Sequence, residues 1–120
     1  MRADSQVEVP GPSALAQRFG DVLRVGDGRS AEGVINDALA MGMAPEAIHA
    51  LVMVPAMVRL GELWECQAIT VADEHLATSI CQRVLVRLVE ALSARRIPQG
   101  SLPRVLLAGV EGQHHTLGLA

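Results

Sequence analysis

Three groups of side chains in this sequence have types and spacings suited to chemistry. The first lies in Trp64-Glu-Cys-Gln-Ala-Ile-Thr-Val-Ala-Asp-Glu74-His75. Trp64, the only Trp in the chain, offers a large flat apolar surface and a single N–H donor. Glu74 and His75 follow ten and eleven positions later. Neighbouring helical residues stand roughly 100° apart, so this pair flanks a site rather than stacking on it. The second group, Gln113-His114-His115-Thr-Leu-Gly118, comes soon after the apolar run Arg104-Val-Leu-Leu-Ala-Gly-Val110. His115 thereby falls at the carboxyl end of a predicted strand, where parallel-sheet proteins bind ligands. The third group is Cys66 and Cys81, which have neither metal-ligand spacing nor a disulfide framework and read as buried, reduced thiols.

Each residue also has a plainer reading when taken singly. Trp64 would be a core or staple residue, Glu74 a surface acid favoured by a helix dipole, and His75 a solvated histidine. His114 and His115 would be exposed loop residues. Met53 and Met57 would fill core gaps, and His49 has an ordinary helix position.

Four helical patterns must position these groups. Met1 to Pro12 reads as a flexible lead. Helix one is predicted from Ser13, its cap, to Val25, burying Leu15, Phe19, Val22 and Leu23, with Gly26-Asp27-Gly28 ending it. Helix two is predicted from just after Ser30 to Met41, burying Val34, Ile35, Ala38 and Leu39. Helix three begins with Pro45 at its first position and runs to Trp64. One of its apolar stripes is Ile48, Leu51, Val52 and Pro55; the other is Met53, Met57, Leu60 and Trp64. Pro55 should kink it. Helix four runs from Thr70, paired with Asp73 in a capping box, to Arg95. Its inner face is Val71, Thr78, Cys81, Leu85, Leu88 and Leu92, and its wet face Arg83, Arg87 and Glu90. The short connection between helices three and four makes their ends neighbours, so Trp64, Glu74 and His75 can face one site.

Arg96-Ile-Pro-Gln-Gly-Ser-Leu-Pro103 then reads as a linker. The run after it has the continuous apolar pattern of a parallel strand buried on both faces. A lone strand of this kind leaves its backbone groups unpaired. A doubly wound domain would need on the order of 100 further residues, so the chain is expected to be a fragment.

The 120 residues suit one small domain. Half are hydrophobic, with one Phe and no Tyr, so the core must be Leu, Val, Ala, Ile and Met. All ten basic residues are Arg, and the net charge of −3 gives no electrostatic reason for nucleic-acid binding. No run approaches the ~18 apolar residues of a membrane span, and no basic-then-apolar leader opens the chain. The expectation is a soluble cytoplasmic protein.

The spacing of Trp64, nine residues, then Glu74-His75 resembles the signature of the cobalamin-binding photoreceptors, light-dependent repressors that hold adenosylcobalamin. Gln113-His114-His115-Thr-Leu-Gly118 resembles the loop of the cobalamin domain: an acidic residue, any residue, His, two of any, Gly. The resemblance implies a mainly α chain, a four-helix-bundle cap over residues 13–95. It also implies a linker over 96–103 and the first strand and loop of a truncated α/β flavodoxin-like domain over 104–120. Cobalamin would lie between the two, with His115 as the lower axial cobalt ligand. Trp64 would pack on the adenosyl group, Glu74 would hydrogen-bond its sugar, and Val71, His75, Gln113 and Gly118 would complete the cofactor-binding set. Two positions depart from the family. Gln113 replaces the acid that makes a metal-bound His more basic, and Glu65 follows the Trp where the most similar photoreceptors have a His able to take the upper cobalt position.

The resemblance implies a light- or cobalamin-sensing regulator rather than an enzyme. No helix-turn-helix pattern precedes helix one, so regulation would act through a partner protein. The alternative is a methyl-carrying corrinoid protein of a methyltransferase system, holding methylcobalamin. That class caps a methyl group with a smaller apolar surface and has no need of the Glu-His pair. A third possibility is a helical bundle that self-associates through the helix-three face, with Trp64 otherwise left in water.

Overall fold

The computed structural model describes residues 9–95, 100 and 103–112. Four helices are present among them: α1 (Pro12–Arg24), α2 (Gly28–Ala40), α3 (Pro45–Glu65) and α4 (Val71–Ser93). They pack around one apolar core in which, among the described residues, no polar side chain is buried. Phe19, the only Phe, is fully buried there with Leu15, Leu23, Val34, Ile48 and Val84.

The helix starts follow local chemistry. Gly11 rather than Ser13 caps α1, because Pro12 at the first helical position comes with its φ already set. α2 starts two residues before Ser30. Its cap is Asp27, whose carboxylate accepts from the Ser30 backbone N–H at 3.0 Å and from its hydroxyl at 2.6 Å. These bonds hold the Asp27 carboxyl below the usual range. Pro45 opens α3, as expected.

α1, α2 and α3 all end in the same way. In each, the N–H groups of the two residues after the cap return to carbonyls of the last turn, as Gly26 does to Leu23 and Asp27 to Val22, both at 3.0 Å. The residue that reverses the chain is Gly26 (φ 71°), Gly42 (φ 85°) and, after α3, Gln67 (φ 60°).

α3 contains a π-helical turn, His49–Met53, in which the Val54 N–H bonds the His49 carbonyl. It ends just before Pro55, which has no N–H to give and whose ring would press on the carbonyl four residues back. The wider turn relieves that conflict. The two expected stripes accordingly merge into one buried line of Ile48, Val52, Met53, Ala56 and Leu60. Leu51 and Pro55, from the first stripe, are exposed, and Met57, from the second, is half-buried. By length and average composition α3 is apolar enough to cross a membrane, although Glu46, Arg59 and Glu62 interrupt its apolar run; here its buried line packs inside the bundle.

Further corrections concern single faces. Val22 and Leu39 are half-buried rather than core. On α4 the inner face is Ala77, Ile80, Cys81, Val84, Leu85 and Leu88, with Thr78 and Leu92 half-buried and Val71 outside. Cys66 is exposed, whereas Cys81 is buried as expected. Residues 103–110 form no strand and are exposed throughout. With no strand among the described residues to pair with, the apolar run has no ladder to join there.

Candidate functional site

The site is built on the hairpin of α3 and α4. Trp64 is the penultimate residue of α3, and Glu74 and His75 lie in the opening turns of α4. The connection closes tightly: Gln67 N–H bonds the Trp64 carbonyl at 3.0 Å, and Ala68 N–H bonds the Leu63 carbonyl at 2.8 Å. Ile69 is buried and anchors the loop to the core. Thr70 then caps α4. Its hydroxyl accepts from the Asp73 N–H at 3.1 Å, while the Asp73 carboxylate accepts from the Thr70 N–H at 2.8 Å and hydroxyl at 2.7 Å. The two bonds from Thr70 hold the Asp73 carboxyl below its ordinary range.

The three signature residues therefore share one end of the bundle, each with a different exposure. Trp64 is 47% exposed, so its indole is available rather than consumed by the core. The Glu74 side chain is 22% exposed and that of His75 is 68% exposed. The Glu74 carboxylate is held from both sides, with Thr78 Oγ1 donating to Oε1 at 2.9 Å and His75 Nδ1 lying 2.7 Å from Oε2. Val71 and Leu76, 54% and 50% exposed, add apolar surface on the same opening turns.

Two concavities lie elsewhere in the bundle. One cleft of about 480 Å³ runs between α1 and α3 past Gly20, Arg24 and Arg59. Another, of about 440 Å³, runs between α3 and α4 past His49, Met53, Met57 and Cys81. Neither is lined by Trp64, Glu74 or His75. His49, unremarkable in sequence, thus lines a groove, and Thr78, read as a core position, contacts Glu74.

Among the described residues no cluster of three His, Cys, Asp or Glu is arranged to hold a metal ion. Gln113, His114, His115 and Gly118 lie outside the described residues. What the described part presents at this end is a half-exposed Trp64 in the last turn of α3 and, in the opening turns of α4, a Glu74 carboxylate bonded by Thr78 and His75.

The family model described as B12 binding domain matches residues 15–89, from α1 into α4. No curated protein and no solved structure matches the chain.

Proposed function

Because this chain belongs to the B12 binding domain family, we propose that its Trp64 end covers the upper face of adenosylcobalamin in a light- or cobalamin-sensing regulator. The observation that carries this reading is a half-exposed Trp64 at the same end of the α3–α4 hairpin as a Glu74 carboxylate already held in place. A single large aromatic left partly in water at a helix end is apolar surface awaiting a cover. Trp64 and Val71 would shield the upper ligand from water. Glu74 would accept hydrogen bonds from sugar hydroxyls, and His75 would wall the site. When bound, the cofactor supplies the cobalt–carbon bond and its chemistry, while the protein positions and shields.

On this reading residues 104–110 and the His115 loop open a flavodoxin-like domain, in which His115 would hold cobalt and Gln113 and Gly118 would complete the loop. The wholly exposed apolar run at 105–110 supports that assignment, since such a run is what a sheet would cover. A cytoplasmic location is supported by the two free cysteines. Signal output would pass through a partner protein or through self-association on the α3 face, where Val54 and Val58 are exposed. A clean monomer in sedimentation, with and without cofactor, would remove the self-association arm.

The second reading, a methyl-carrying corrinoid protein, is favoured by Glu65. The position after Trp64 has a carboxylate where a histidine would serve a light-driven change of ligand.

The deciding experiment is an absorbance spectrum of the full-length protein with adenosylcobalamin, in the dark and after green light, with Trp64→Ala as the control. A His-ligated dark spectrum and a stable light product, both weakened by Trp64→Ala, are expected. Preference for methylcobalamin with no durable light product would establish the methyl carrier instead. Absence of any binding would sink both readings.

A further inference from the structure

We propose that Thr78 is a specificity-determining residue that fixes the Glu74 carboxylate, so that this face prefers an upper ligand bearing sugar hydroxyls over a bare alkyl group; the inference rests on the cofactor reading above. In a helix interior a Ser or Thr hydroxyl usually donates to the carbonyl four residues back. Ser79 does so, bonding the His75 carbonyl at 2.9 Å. Thr78 does something different: its hydroxyl reaches along the same helix to the Glu74 side chain, 2.9 Å from Oε1.

Three features make this contact a positioning device. Thr78 is half-buried, and its β-branched side chain is stiff about χ1, so the hydroxyl has a defined direction. Glu74, by contrast, is a long side chain with a large rotamer entropy when free. His75 Nδ1 holds the other oxygen at 2.7 Å but is itself mostly exposed, so the Thr78 arm is the rigid one. A carboxylate oxygen accepts more than one hydrogen bond, so a group held in this way still has the chemistry to bond a ligand hydroxyl. Ordering Glu74 before binding removes a cost that only a hydroxyl-bearing ligand would otherwise meet. A ligand with a methyl group in that position makes no use of Glu74 and is indifferent to the brace.

The test compares adenosylcobalamin with methylcobalamin on full-length wild type, Thr78→Val and Thr78→Ser by equilibrium titration, with helix content checked by circular dichroism. Valine keeps the shape and removes the donor. Thr78→Val should lower adenosylcobalamin affinity by about tenfold, the value of one hydrogen bond to a charged group, and leave methylcobalamin affinity unchanged. Thr78→Ser should restore most of the preference, and Thr78→Val should add nothing in a Glu74→Ala background. Equal loss of both ligands would show a structural role and overturn the inference, as would an unchanged preference in Thr78→Val. A wild type that binds cobalamin without preference would overturn it as well, and a wild type that binds none would overturn the underlying reading itself.

Discussion

Arg95 and Glu46, forty-nine positions apart, are joined by an ion pair of 2.8 Å. The guanidinium Nη1 meets both carboxylate oxygens, at 2.8 and 2.9 Å. The contact ties the region just beyond the end of α4 to the start of α3 and so closes the hairpin at the end opposite Trp64 and Glu74. Both side chains are more than half exposed, so solvent and salt screen the attraction. Glu46→Gln should change stability by less than about 1 kcal/mol in urea titration, and ligand spectra should not change. A larger loss would mean the hairpin depends on its far end.

The Thr70–Asp73 box should shape the acid response. Asp73 titrates below the 3.8 of a free carboxyl. Its contribution is therefore complete above that value and is lost as pH falls through the lower folded value. Circular dichroism from pH 6 to 2 should show less loss of helix at the acid end for Asp73→Asn relative to its own neutral state. Asp27, lowered by Ser30 in the same way, keeps part of the acid transition in place. Thr70→Ala should cost about 1 kcal/mol at neutral pH, the usual value of a cap.

The two thiols should separate by reactivity. Burial pushes the Cys81 thiol up to about 12, so at pH 8 it is both covered and protonated. Cys66 is exposed beyond the end of α3. Iodoacetamide on the folded protein, read by peptide mass spectrometry, should label Cys66 alone. Equal labelling would show that the α3–α4 core opens readily.

Gln67 occupies a left-handed backbone conformation that costs a residue with a Cβ about 1–2 kcal/mol. Glycine adopts it freely but adds freedom to the unfolded chain. Gln67→Gly should raise the unfolding midpoint, with a net gain of up to about 1 kcal/mol. A lower midpoint would show that the Gln67 side chain contributes more than its backbone costs.

What was legible in the sequence was governed by short-range rules. The capping box at Thr70, the turn at Gly26, and Pro45 at the head of α3 each depend on a few neighbouring residues. The misplaced starts at Ser13 and Ser30 arose because a better candidate stood close by: Pro12 with its φ set, and Asp27 with a charged acceptor. The faces of α3 were misread because a change of helical geometry within it, answering to Pro55, is invisible to a fixed 3.6-residue period. At the candidate site, the placing of Trp64 and Glu74-His75 at one end of the α3–α4 hairpin followed from spacing and a short loop. Their exposures depend on packing, and the same holds for Thr78, whose half-buried place looked like core when only its neighbours along the chain were weighed.

The π-helical turn at His49–Met53 also acts as a phase setting for everything after it. One residue more or less there rotates the remainder of α3 by roughly 100°, and Trp64 rides on that remainder. The indole's bearing is thus decided some three turns upstream, by the backbone spacing ahead of Pro55 rather than by any contact Trp64 makes. A single-residue deletion within 49–53 would turn the indole to a different bearing even if a helix re-formed. For this fold, the count of residues ahead of Pro55 is as much a part of the site as the tryptophan itself.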